Sequence, residues 1–210
     1  MQSTLSEMVE KVLENLKKNE MEALHFPTAE EAKREVLKRI SPLAKVGVGG
    51  SITLREIGLL DALRERGNEV YDHWKVGLSK EERQAVGKKQ QRADFFLTST
   101  NALTMDGKLI NIDATGNRVA SMIFGPEKVM VITGVNKIVK NLNEGFSRLK
   151  KVAAPKNCQR RKDPTPCAQD LICHNCDSPA RLCRVTTIIE RKPFGIREFT
   201  VVLVGEALGY

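Results

Sequence analysis

Apolar residues recur at helical spacing from the start of the chain. Leu5, Met8, Val9, Val12, Leu13 and Leu16 share one face, which predicts a helix over residues 3–24. His25-Phe26-Pro27 breaks it. Thr28 and Glu31 then have the spacing of a capping box, and Ala32, Val36, Leu37 and Ile40 form the face of a second helix ending at Ser41-Pro42. Residues 1–40 thus read as a helical arm, which packs on the core or on a second copy of the chain in a homo-oligomer. Lys45–Val48 has strand character and runs into Gly49-Gly50-Ser51. A helix follows, with Leu54, Ile57, Leu60 and Leu63 inward and Gly67 as its stop. Val70-Tyr71-Asp72 is a second strand, so a parallel βαβ unit is expected. Ser79 to Glu82 opens another helix, again with capping-box spacing, that runs to about Gln91.

From Ala93 to Val135 the pattern changes. Phe95-Phe96-Leu97 is a buried strand, with the polar crest Thr98-Ser99-Thr100-Asn101 beyond its end. Asp106-Gly107 joins two short strands as a hairpin whose central positions both take positive φ. Asn111, Asp113, Thr115, Gly116, Asn117 and Arg118 crowd polar groups before the next strand, Val129–Ile132. Polar side chains between buried strands either line a site or knit loops together. A helix is predicted from about Leu142 to Val152. Residues 153–183 contain all five cysteines and four prolines, so they read as a long excursion outside the core. Val185–Ile189 and Phe199–Val204 resume the strands. The expected fold is α/β, an open and mainly parallel sheet flanked by helices.

Composition narrows the function. The net charge of +8 and pI near 9.3 favour anionic ligands. Seven Phe, two Tyr and one Trp give few platforms for stacking bases, which disfavours nucleic acid. No apolar run approaches the ~18 residues of a spanning helix, and Met1-Gln2-Ser3 opens an amphipathic stretch rather than a signal peptide. A cytoplasmic location without membrane contact is expected. The Gly47–Thr53 region is neither the dinucleotide fingerprint nor a Walker loop, which argues against a self-sufficient dehydrogenase.

Several residues are candidates for chemistry. Glycines at 49 and 50 either make a tight strand-to-helix turn or let backbone N–H groups approach an anion. Asp72-His73-Trp74 stands at a strand end, where open α/β sheets bind ligands. Lys137, at another strand end, reaches the same rim or is a solvated surface lysine. Cys158, Cys167, Cys173, Cys176 and Cys183 are separated by eight, five, two and six residues. Cys167, Cys173, Cys176 and Cys183 are enough for tetrahedral zinc or an iron–sulfur cluster, although the second close pair of the familiar motifs is missing. Reduced structural thiols are the alternative.

Thr100-Asn101-Ala102-Leu103-Thr104, Asp106-Gly107, Asn111-Ile112-Asp113, Gly116-Asn117-Arg118-Val119 and the Val46–Thr53 loop together resemble the LUD domain, the lactate-utilisation protein C family. The likeness covers residues ~30–210. It divides the chain into the arm, 1–40, and a LUD domain, 41–210, with the cysteine-rich excursion inside it. It implies a fold akin to the glucosamine-6-phosphate isomerase, ribose-5-phosphate isomerase and CoA-transferase group. It further implies an anion cradle at Gly49, Gly50, Ser51 and Thr53, faced by Asn101, Asp106, Asn117 and Lys137, with Thr100 and Arg118 in the same pocket. By the resemblance the protein is an accessory subunit of lactate oxidation to pyruvate, beside an iron–sulfur oxidoreductase partner. Alternatives are a sugar-phosphate isomerase or acyl/CoA transferase with Asp106 or Asp113 as general base, and a metal- or redox-linked interaction module built on the cysteines. The isomerases' second carboxylate pair and the transferases' glutamate nucleophile have no counterpart here.

Overall fold

The computed structural model describes residues 4–210. Met1-Gln2-Ser3, the start of the first expected helix, lies outside the described residues. Two sheets form the frame. The larger has six parallel strands in the order β1 (Glu22–Phe26), β10 (Glu198–Val204), β7 (Lys128–Gly134), β4 (Phe95–Thr98), β2 (Lys45–Val48) and β3 (Glu69–Asp72). The smaller is mixed, in the order β8 (Ile138–Val139), β5 (Ala102–Thr104), β6 (Leu109–Asp113) and β9 (Val185–Ile189). This is the α/β class, mainly parallel, that the apolar runs predict.

Side-chain alternation along each strand divides the large sheet's two faces. Phe95 and Leu97 join Val46, Val48, Met130, Ile132, Val202 and Val204 on one face. That face is covered by α2 (Ala29–Arg39), α3 (Ile52–Glu56) and α4 (Leu59–Glu65). Phe96 joins Val129, Val131, Val201 and Leu203 on the other, under α1 (Leu5–Lys18) and the small sheet's Leu103, Leu109 and Ile189. Strands buried on both faces are why these segments read as continuous apolar runs.

The first helix is shorter than expected. It ends at Lys18, and Glu22–Phe26 is a strand paired in parallel with Thr200–Val204. The segment 1–40 therefore contributes an edge strand to the sheet rather than helix alone. Thr28 caps α2 by accepting from Glu31 N, and Ser79 and Glu82 form a full capping box at α5 (Lys80–Gln90). The helix expected after Gly50 is two, because Gly58 takes φ +65° between α3 and α4.

The β5–β6 hairpin also differs from expectation. Gly107 alone has positive φ, +80°, and Gly107 N donates to Thr104 O at 2.9 Å. Thr104 and Lys108 close a three-residue loop, so only one αL position is needed, and glycine fills it.

The helix beginning at Leu142 does not stop at Val152. α7 (Leu142–Arg148) passes through a wide turn over Leu149–Ala153 into α8 (Ala154–Arg161). Ala154 N donates to Leu149 O, five residues back, which spares the chain the clash that Pro155 would cause in a regular α-helix. The expected excursion thus begins as helix, with Ala153, Ala154 and Cys158 buried. α6 (Asn117–Ile123) and the short α9 (Pro166–Asp170) complete the helices. Among the described residues, no helix is long and apolar enough to cross a membrane.

Candidate functional site

Because the six strands of the large sheet run in parallel, the loops after β2, β3, β4 and β7 emerge on one rim, the carboxyl end where open α/β sheets bind ligands. A cavity of about 150 Å³ opens there. Gly50, Ser51 and Thr53 form one wall; Thr100, Asn101, Asp113, Asn117 and Arg118 form another; Lys137 lies between. Of the residues predicted for the site, these nine meet at the cavity. Gly49 lies beneath it, where an added Cβ would come within 2.9 Å of Thr98 Oγ1. Asp106 is elsewhere: its carboxylate is over half exposed and paired with Lys108, and its carbonyl accepts from Asn19 Nδ2 on the C-terminal side of α1. Asp106 therefore does not line this cavity.

Lys137 stands at the centre. It is 2% exposed, and Nζ donates to Thr53 Oγ1 and Ser99 Oγ, both at 3.0 Å. Its amine thus meets hydroxyls instead of water. Burial, reinforced by Arg148 and Arg118, pushes its pKa down from 10.5 to about 7, against an opposing pull from Glu56. It is not the solvated surface lysine of the alternative reading.

Arg118 is the opposite case, a cation with every donor in use. Nε and Nη2 hold Asp113 Oδ1 at 2.9 and 2.6 Å; Nη1 holds Ser99 O and Asn111 Oδ1; Nη2 also reaches Asn101 Oδ1 and Ile112 O. The other oxygen of Asp113 accepts from Val119 N. Arg118 therefore braces the Ser99–Asn101 crest against β6, and the Asp113 carboxylate is occupied in the same network. Ser51 Oγ is likewise committed, capping Leu54 N, and Thr100 Oγ1 donates to Ala102 O. Of the proposed cradle side chains, only Thr53 Oγ1 contacts the Lys137 amine.

Further lining residues come from the end of β3, where the sequence marks His73 and Trp74, and from α8 and the last residues, which it does not connect with the rim. Gln90 Nε2, oriented by Val48 O and Tyr71 O, lies 2.9 Å from His73 Nδ1. Burial lowers the His73 pKa, which favours the neutral ring. Trp74 lies against Gly50, where an added Cβ would fall 2.4 Å from the indole. The Arg160 and Arg55 guanidinium carbons lie 4.2 and 4.7 Å from the indole centroid. Asn157 and Arg161, four residues apart on α8, also line the cavity. The last residues cross its edge: Gly209 N donates to Glu56 Oε2, and Tyr210 Oη donates to Asn157 Oδ1 at 3.0 Å. Helical spacing relates Asn157 to Arg161, and the strand end marks His73 and Trp74; nothing local marks Tyr210.

The four spaced cysteines are metal ligands in one reading of the sequence and reduced thiols in the other. Among the described residues, no group of three or more His, Cys, Asp or Glu side chains is arranged to hold a metal ion. Cys167 is the buried residue of α9, Cys183 lines the cavity and Cys173 borders a separate groove, yet the Cys173, Cys167 and Cys176 thiols are near enough to add to the burial that raises the Cys183 pKa. Burial, with the neighbouring Cys167 and Cys183 thiols, pushes Cys158 up to about 12, so it is held as a thiol.

Comparison with known proteins agrees with this frame. The crystal structure of a DUF162 family protein from Deinococcus radiodurans is similar over 97% of this chain and 100% of that one, with a TM-score of 0.55 and 15% identity. At that identity the likeness is one of fold. No curated protein matches the chain. The family model of the LUD domain matches residues 9–204, taking in α1 and β1 as well as the rim, and the chain belongs to the LUD domain family.

Proposed function

We propose that the rim cavity binds a small anion, a carboxylate or phosphate, and that the protein is an accessory subunit in the oxidation of lactate or a similar organic acid to pyruvate. The observation that carries the pocket is Lys137, a buried amine between two hydroxyls with Arg148 and Arg118 close by. An entering anion adds counter-charge beside an amine on which Glu56 alone opposes Arg148 and Arg118. The volume of about 150 Å³ suits a small ligand, being below the ~300–1,000 Å³ of sites for drug-sized molecules. The metabolic role rests on family membership, and with it goes an iron–sulfur oxidoreductase as partner. The parallel sheet with its cavity at the strand ends also supports kinship with the glucosamine-6-phosphate isomerase, ribose-5-phosphate isomerase and CoA-transferase folds.

The test is thermal unfolding with lactate, pyruvate, inorganic phosphate and ribose 5-phosphate. A ligand at a hundred times its Kd stabilises by about 2.7 kcal/mol. The expected shift is lost in Lys137→Met and kept in Asp106→Ala. A shift of equal size in Lys137→Met would remove the pocket. A second reading, an enzyme of the isomerase or transferase type, is favoured by the same lysine rather than by either aspartate.

A further inference from the structure

We infer that Lys137 is a covalent-catalysis lysine, forming an imine with the carbonyl carbon of a small oxo-acid or aldehyde bound in the rim cavity. The inference deepens the pocket reading above and shares its site. Three features carry it. The Lys137 amine lies on the cavity wall, buried, and its hydrogen-bond partners are two neutral hydroxyls. The charges facing it are Arg148 from α7, Arg118 from α6 and Glu56 from α3, with Asp113 of β6 turned to Arg118. A desolvated amine beside cations keeps its lone pair free near neutrality, the general requirement for imine formation. Ser99 Oγ and Thr53 Oγ1, each 3.0 Å from Nζ, are positioned to relay protons.

The step balances without a redox partner. The nitrogen lone pair forms a C–N bond as the carbonyl π pair moves to oxygen. One nitrogen proton passes to that oxygen, giving a carbinolamine. The oxygen then leaves as water with the second nitrogen proton, and C=N remains. Water is the only leaving group.

The experiment is reductive trapping of the full-length protein with sodium cyanoborohydride and, separately, glyoxylate and pyruvate, followed by peptide mapping. Lys140, whose side chain is 82% exposed, is the internal reference. Labelling of Lys137 is expected to exceed that of Lys140 by more than about tenfold at pH 7, since an exposed lysine is almost wholly protonated there. Its rate should rise with a midpoint near pH 7. Lys137→Arg, checked for folding by circular dichroism, should lose the site-specific adduct. Labelling spread over exposed lysines with Lys137 unmodified would overturn the inference, and the wild-type map decides this even if the variant does not fold. Phosphate and lactate, which lack a reactive carbonyl, separate the two readings. A thermal shift with these anions but no Lys137 adduct retains the pocket and rejects the imine. An adduct without any anion-dependent shift retains the imine and rejects the anion pocket.

Discussion

Arg118 Nη2 lies 2.6 Å from Asp113 Oδ1, and both side chains are about nine-tenths buried. The pair fastens the loop after β4 to the end of β6, since the same guanidinium holds Ser99 O and Asn101 Oδ1. Removing one partner strands the other charge in a poorly solvated place. Arg118→Met is therefore expected to lower the unfolding free energy by about 3–5 kcal/mol, measured by urea denaturation. Asp113→Asn, which keeps an acceptor oxygen, should cost less. An Arg118→Met variant of wild-type stability would show that this network does not hold the rim.

The Lys137 amine gives stability a particular pH dependence. Its folded pKa, about 7, is below the ordinary 10.5, so between these values the unfolded chain binds more protons. The burial penalty is complete below pH 7 and fades as pH rises towards 10.5. In Lys137→Met the penalty is absent. The stability of wild type relative to Lys137→Met should rise across that window by up to ~1.4 kcal/mol per pH unit. Denaturation at pH 6, 7, 8 and 9 measures it, and a gap constant from pH 7 to 9 would contradict a neutral buried amine.

Gly107 and Gly77 both have strongly positive φ, +80° and +88°, but in different surroundings. A Cβ on Gly107 would come within 2.9 Å of backbone atoms of Asn15 and Leu16, whereas one on Gly77 would meet nothing within 4 Å. Gly77→Ala should cost about 1–2 kcal/mol, the conformational term alone. Gly107→Ala should cost more by at least about 1 kcal/mol, from overpacking against α1. Equal losses would mean that the hairpin does not need its close seat on that helix.

Trp74 is the chain's single tryptophan and lies on the cavity wall against Gly50. Its emission therefore reports on the site without labelling. Gly50→Ala should displace the indole from between Arg55 and Arg160 and shift its emission maximum, with little loss of helix signal in circular dichroism. An unchanged spectrum would show that the ring is not seated there.

The inner strands were readable because they are covered on both sides. Phe95–Leu97 and Val129–Ile132 have no polar interruption, and that signal is strong. β1 was hidden because no glycine or proline separates it from α1. The chain turns instead at Glu20, with φ +61°, a conformation that no local rule assigns to glutamate. Pro155 misled for the converse reason: a breaker by type, it is accommodated by the wide turn before it. The rim loops were identifiable from their glycines and polar crest. The state of Lys137 was not, since its partners Thr53 and Ser99 stand 84 and 38 residues away. The cysteine spacing permits a metal centre, but spacing fixes no distances in space.

The parallel pairing of Glu22–Phe26 with Thr200–Val204 bears on how the molecule is made. On a ribosome the early strand emerges long before its partner, which follows some 178 residues later. Throughout that interval its backbone donors and acceptors have only water, or a stranger's strand edge, to bond with. Pairings this distant in sequence also slow folding, because a long loop must close before any contact is gained. The edge that β1 presents thus waits for most of synthesis, and its pairing joins segments near the two ends of the matched domain.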